Sequence, residues 1–270
     1  MAKAKKEKAK KETKNQEPTR VPPDNTTTYG GADTEPRGNT STKLGDVIVQ
    51  AKLAPEYQDV RFLGLPSAYT LWWIPIVHEG KVLNIPRVAL GSKPNGAWDA
   101  EEEDPYEEIA KDKFPNTHFW CNAILRSEQT KKMLKNGCVP TKEERKNGYL
   151  IPGKSKTPVQ VIRLPKGAMR DIQEIAKTYK RGDIASPKDG CDLAVLYNEK
   201  PKSPRDYWKI QRGEPSPLSK HEREYLLYDT ASLYKMNTLK AARKDADKLR
   251  EQMDKPPKKS KKGKGKKRAF

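Results

Sequence analysis

The stretch His118-Phe119-Trp120-Cys121-Asn122-Ala123-Ile124-Leu125-Arg126 decides how the rest of the chain is read. Taken with a period of two, it sets Phe119, Cys121, Ala123 and Leu125 on one face and His118, Trp120, Asn122, Ile124 and Arg126 on the other, the alternation of a strand buried on one side. The first face is core. The second puts an indole between hydrogen-bonding and cationic side chains, which suits stacking of a nucleic-acid base beside a held phosphate. It suits equally an indole covered by a helix or loop, since large aromatics are mostly buried. The surrounding sequence weighs towards the first use.

Charge divides the chain. Of its 270 residues, 1 to 14 carry seven lysines against two glutamates, and 255 to 270 carry nine Lys/Arg and no acid, out of a formal net charge of +19. Eighteen of the twenty aromatic residues lie between Tyr57 and Tyr234. A near-neutral, aromatic-bearing body therefore stands between two lysine-rich ends, and the mean hydropathy of -0.99 places part of the chain outside any core. Lysine runs of this kind serve solubility, an anionic membrane or nucleic acid. Neither end offers the apolar face that a membrane anchor needs, no stretch approaches the ~20 apolar residues of a spanning helix, and the opening Met-Ala-Lys-Ala-Lys-Lys is not a signal peptide. Nucleic acid is the expected partner, because lysines near phosphates release condensed counterions. Cys121, Cys138 and Cys191 form neither an even set nor a C-x-x-C pair, which fits free thiols in a reducing compartment.

Residues 1 to about 40 read as disordered, with structure starting at Asp46-Val47-Ile48-Val49. Val60 to Leu63 and Tyr69 to Val77 are strand-forming runs interrupted by Pro66 and Pro75, the second proline indicating an edge or a bulge, and His78 to Lys81 reads as a hairpin turn into Val82-Leu83. Asp104-Pro105 predicts the start of a short helix, Ser127 caps another that stops at Asn136-Gly137, and Thr141 to Glu144 has capping-box spacing before a stop at Asn147-Gly148. Val159 to Leu164 is the next strand. Met169, Ile172, Ile175, Ala176 and Tyr179 step as a helix ending in cations, and short strands follow at Leu193 to Tyr197 and Tyr207 to Ile210. A second capping box, Ser219 to Glu222, predicts a helix running to about Tyr234. Leu239, Ala242, Ala246, Leu249 and Met253 form the apolar stripe of a last helix.

Gly148-Tyr149-Leu150-Ile151-Pro152-Gly153-Lys154-Ser155 matches the phosphate-loop pattern G-x-x-x-x-G-K-[ST]. That loop needs a buried strand leading in and a helix leading out, so that backbone N-H groups aim at the phosphates. Here the lead-in is wholly polar, and the lead-out meets Pro158 and strand-like Val159 to Ile162, which leaves a nucleotidase as a remote alternative. His78, His118 and His221 lie far apart, and the acidic run Glu101 to Asp104 reads as a solvated loop, so no catalytic residue, metal site or cofactor is expected.

Aromatics interleaved with bases carry the positive signal. Tyr69, Trp72 and Trp73 fall near Arg61; Trp120 near Arg126; Arg163 near Lys166; Tyr179 beside Lys177, Lys180 and Arg181; and Tyr207 near Lys209, with Lys154 on the loop described above. With Phe119, which enters only through the family resemblance given below, these make sixteen candidate nucleic-acid contacts. In the absence of a helix-turn-helix or zinc-finger pattern, they favour a single-strand binder over a duplex reader.

The ordered series Val60 to Leu63, a strand ending in His78-Glu79-Gly80, Phe119 to Leu125, Val161 to Leu164, Gly190-Cys191-Asp192-Leu193 and Tyr207 resembles the single-stranded-DNA-binding, helix-destabilising proteins of T-even-like tailed bacteriophages, over roughly residues 45 to 235. The resemblance implies an OB-fold core with a helical subdomain, a cleft lined by aromatics and bases, and residence in the host cytoplasm. It puts the family's aromatic pair on Phe119 and Trp120, its strand arginine on Arg163 followed by Lys166, and its late cleft tyrosine on Tyr207. It also implies self-association along DNA through the basic N-terminal arm, and contacts with phage replication or recombination proteins. Two departures stand out. The family's zinc uses one histidine and three cysteines; His78 is in the matching place, but no cysteine lies between Gly80 and Trp120, so packing around Trp98 or Tyr106 takes its place. The family's acidic C-terminal tail is replaced by Lys258 to Arg268, for which a second electrostatic contact to DNA is the expectation.

The expected organisation is a β-rich α+β protein: a disordered basic arm (1–40), an OB-fold-like five-stranded barrel with inserted helices (41–235), an amphipathic helix (236–254) and a disordered basic tail (255–270). The expected function is non-catalytic coating of single-stranded DNA in replication, recombination and repair. The alternative is an RNA-binding or nucleic-acid-condensing structural protein.

Overall fold

One strand, β1 (Gln58–His78), runs through the whole architecture where the sequence predicts two interrupted pieces. In the computed structural model, which describes residues 53, 56–78, 81–93, 95–99, 103–179, 183–198, 200–203, 207–234 and 237–253, β1 pairs with β3 (Asn116–Leu125) from Val60 to Leu71. The register shifts between Leu63 and Ser67. Pro66, which has no N-H to give, falls in that unpaired step, and Gly64 supplies a backbone φ of 62° there. The proline is thereby absorbed as a bulge and the strand continues. On its other edge β1 meets β5 (Cys191–Tyr197) at Gln58 to Val60 and β2 (Lys81–Val88) from Leu71 to His78. Pro75 lies beyond the β3 pairing, so its missing donor costs no ladder bond on that side. The lysine-rich ends, the expected strand from Asp46 to Val49, and Lys180 and Arg181 lie outside the described residues.

The sheet is antiparallel and six-stranded, in the order β4-β3-β1-β5-β6, with β2 attached to the far half of β1. β4 is Val159–Pro165 and β6 is Trp208–Pro215. These two end the order and do not pair, so the barrel of the sequence-based expectation is present only in its coarser form, a sheet-rich α+β fold. Helix α3 (Lys166–Thr178) follows β4 directly and packs against β3, β4 and β6. Its buried Ala168, Met169, Ile172 and Ala176 join Phe119, Cys121, Ala123 and Leu125 of β3 in the main core, as the alternation of β3 predicts.

Two further layers complete the body. Helix α4 (Leu239–Met253) lays its stripe of Ala242, Ala246 and Leu249 against Trp72, Ile74 and Ile76 of β1, with Tyr106 and Ile109 filling the same cluster. The opposite face of the sheet is covered by the segment from Leu218 to Tyr234. There the sequence predicts one helix, yet only short 3-10 turns form at Glu222–Glu224 and Thr230–Ser232. The Ser219 box does form, as Glu222 N-H donates to Ser219 Oγ and Ser219 N-H to Glu222 Oε2. The helix then stops because Leu226, Leu227 and Tyr228 find apolar partners on the sheet in extended form. Two short helices, α1 (Lys131–Asn136) and α2 (Lys142–Asn147), end at glycines with positive φ, Gly137 and Gly148, and α2 carries the predicted capping box on Thr141 and Glu144. The Asp104-Pro105 start yields only a 3-10 turn at Glu107–Ile109. Asp104 Oδ2 instead accepts from the indole of Trp72 and from Leu90 N-H, which ties this loop to β1. No helix among the described residues is long and apolar enough to cross a membrane.

Candidate nucleic-acid interface

The cross-strand register builds one surface at the end of the sheet where α3 begins. On the side of β3 away from the main core, Tyr69 pairs with His118, Ser67 with Trp120, His118 with Pro165 and Trp120 with Arg163. Trp73 continues the same face of β1. The Arg163 guanidinium lies over the Trp73 ring at 5.3 Å and over the Trp120 ring at 5.7 Å, and Trp73 meets His118 edge to face at 5.8 Å. Burial, followed by the charge of Arg163, lowers the His118 pKa to about 4, so the imidazole is neutral at physiological pH.

Two open cavities meet at His118. The first, of about 520 Å³, is bounded by Arg163, Arg170 and Gly167 on one side and by Tyr197, Tyr207 and Trp208 on the other. The second, of about 590 Å³, reaches from Lys166 and His118 past Trp73 to Lys111 and to Asn84 on β2. Tyr197 and Tyr207 stack at 6.3 Å with 19° between planes, and Tyr197 leans on Trp208 at 5.0 Å. Tyr207 is 41 % exposed, so its ring offers a platform at the cavity mouth. Lys166 and Arg170, four residues apart on α3, project from one side of the helix. Flat rings alternate here with cations that no ion pair ties down among the described residues, the pairing of features that binds bases and phosphates together.

Of the sixteen sequence-derived contacts, Trp73, Arg163, Lys166 and Tyr207 come together in this cleft. Seven others are corrected by burial or pairing. Arg61, Tyr69 and Trp72 are wholly buried. Arg61 donates to the Ser186 carbonyl, Tyr69 to the carbonyls of Thr230 and Ala231, and Trp72 to Asp104. Phe119 faces the main core. Trp120 is 6 % exposed because Tyr234 covers it at 5.6 Å, so the covered-indole reading is the one the fold adopts. Arg126 is held by both oxygens of Asp192 and by Glu222, and Tyr179 is buried with its hydroxyl on the Asp189 carbonyl. Lys154, Lys177 and Lys209 are exposed but stand elsewhere. Lys154 is near the Val159 end of β4, Lys177 is paired with Glu174 in the last turn of α3, and Lys209 is on the strand face opposite Trp208.

His118, Arg170, Tyr197, Trp208 and Lys111 complete the cleft without having been among those sixteen. The i, i+4 spacing of Lys166 and Arg170 was a usable signal, as was the Tyr207-Trp208 doublet. Lys111 had none, because a long connection brings it to Trp73, whose carbonyl accepts from its N-H at 2.9 Å.

The loop matching the phosphate pattern is already occupied by protein. Ile151 N-H and Ser155 Oγ both donate to Glu144 Oε1, while Thr141 binds Glu144 Oε2, and these bonds outweigh burial to hold the carboxyl of Glu144 below the usual range. A carboxylate thus takes donors that a bound phosphate would require. The residues present do not fit the zinc site of the resembled family either. His78 is exposed on the β1-β2 hairpin, Cys121 and Cys191 are buried in the main core, and no cluster of three or more potential ligands occurs among the described residues. No family model matches this chain, and no curated protein or solved structure is significantly similar to it.

Proposed function

We propose that the protein binds single-stranded DNA without catalysis, in the cleft between the start of α3 and the β5-β6 hairpin. The observation that carries the reading is the alternation of Trp73, His118 and Tyr207 with Arg163, Lys166 and Arg170 across two joined cavities. Bases would lie on the rings and the backbone would follow the cations; a duplex presents no free base faces to such a groove.

The strand order supports the finer fold reading. Leaving aside β2, five strands follow one another as in an OB-fold opened between its third and fifth strands, with α3 between the third and fourth. In that architecture the second and third strands and the loop between the fourth and fifth form the oligonucleotide face. Here those are β3 and β4, which give His118, Arg163 and Pro165 to the cleft, and the two ends of the β5-β6 connection, which give Tyr197, Tyr207 and Trp208. The covering segment that ends at Tyr234 occupies the rest of that face, so a bound strand would be confined to the half where Trp73 and Arg163 are accessible. Membership of the phage helix-destabilising group, with a role in replication, recombination and repair, follows as part of this proposal. So do self-association through the N-terminal arm and docking of replication proteins.

Competition at fixed salt tests the reading: oligo-dT should displace a labelled oligo-dT, whereas duplex DNA of equal length should do so poorly. Equal competition by duplex, or by RNA, would replace it with the condensing alternative.

A further inference from the structure

The cleft that draws phosphates also contains a carboxylate, which a purely electrostatic groove would exclude. Asp171 lies in the second turn of α3 and lines the same 520 Å³ cavity as Tyr207, Trp208, Arg163 and Arg170, as the single acid among the described residues of its lining. Its side chain is exposed, and no hydrogen bond or ion pair engages it among the described residues. Next to a stacking platform, an unengaged carboxylate favours a base edge that presents donors and penalises one that presents acceptors.

Resting on the single-strand reading above, we propose that this cavity is a guanine-preferring subsite in a groove that is otherwise indifferent to sequence. The four bases differ in what they can offer two carboxylate oxygens. Thymine has one N-H between two carbonyls, which repel the acid. Cytosine and adenine each have one amino group beside a bare ring nitrogen. Guanine alone presents N1-H and the N2 amino group side by side, matching both oxygens with two parallel, charge-assisted bonds. The ring would stack on Tyr207 while the flanking phosphates lie towards Arg163 and Arg170, so affinity and base choice come from different groups in one cavity.

The test uses the full chain and fluorescence anisotropy with a short labelled oligo-dT, compared with the same strand carrying one central dG, deoxyinosine, dA or dC. The dG strand should bind at least about five-fold more tightly than oligo-dT, the lower end of discrimination by a bidentate pair. Deoxyinosine lacks only the N2 amino group and should lose most of that gain. In Asp171→Asn the dG to dT ratio should fall to near one; the ratio is internal to the variant, so a change in its overall affinity does not affect the answer. Tight binding of all five strands with equal affinity overturns the subsite and leaves the single-strand reading standing. A dG preference that survives in Asp171→Asn also overturns it. Failure of every strand to bind removes the underlying function and the subsite with it.

Discussion

Arg163 touches two indoles with opposite fates. Trp73 remains half-buried beside an open cavity, while Trp120 is sealed beneath Tyr234. Truncating each should therefore fail in a different way. Trp120→Ala should destabilise the fold by about 3–5 kcal/mol, the cost of emptying a buried aromatic site, read as a lower midpoint in chemical denaturation. Tyr207→Ala should leave the circular dichroism spectrum unchanged and weaken oligo-dT binding by about 1–3 kcal/mol. Loss of structure in Tyr207→Ala, or a stable Trp120→Ala with defective binding, would reverse these assignments. His118 adds a pH dependence. Its folded pKa of about 4 lies below the ordinary 6.5, so the unfolded chain takes up a proton first as the pH falls. This contribution to stability is complete above about pH 6.5 and is lost progressively towards pH 4. Stability should fall by on the order of 1–3 kcal/mol between pH 7 and pH 5 in the wild type, read as a lower melting temperature, and by less in His118→Phe.

At the scale of elements, the decisive event is the way the Leu218 to Tyr234 segment uses the sheet. Asn122 anchors it twice, accepting from Tyr228 N-H at 2.9 Å and donating to the Tyr228 carbonyl at 2.9 Å. The Arg126 guanidinium fixes its start through Glu222, whose pKa falls to about 2; burial opposes that shift, but hydrogen bonds from Gln129 and Ser219 and the charge of Arg126 overcome it. This depressed acid stabilises the fold above its ordinary value of 4.5, and the benefit is lost as the pH falls from there towards 2. Asn122→Ala would leave both Tyr228 backbone groups unpaired. Hydrogen exchange should rise across residues 225 to 234 before it rises in α3, and unchanged protection there would show that apolar packing alone holds the segment. Capping signals and helical periodicity were legible for α2, α3 and α4, because they depend on neighbours within a few residues. The Ser219 box was legible too, yet the helix expected after it was lost to long-range packing.

For the molecule as a whole, charge acts at longer range than packing. Binding to single strands should weaken steeply with salt, and deleting residues 255 to 270, with their nine Lys/Arg, should flatten the slope of log affinity against log salt. An unchanged slope would remove that end of the chain from the interaction. The sequence by itself determined the uneven charge, the set of β3 residues that faces the main core, and the helices with clear apolar stripes, whereas its expectation of burial on one side of β3 only was overturned, since Trp120, Asn122 and Ile124 are buried as well. The first three follow from composition or short-period patterns. Only the tertiary structure decided that Arg61, Tyr69 and Trp72 are interior, that Tyr234 closes over Trp120, and that Arg170, Tyr197 and Trp208 face the open cavity. The reason is physical: alternation tells which residues share a face of a strand, but whether that face meets water depends on a segment more than 100 positions away.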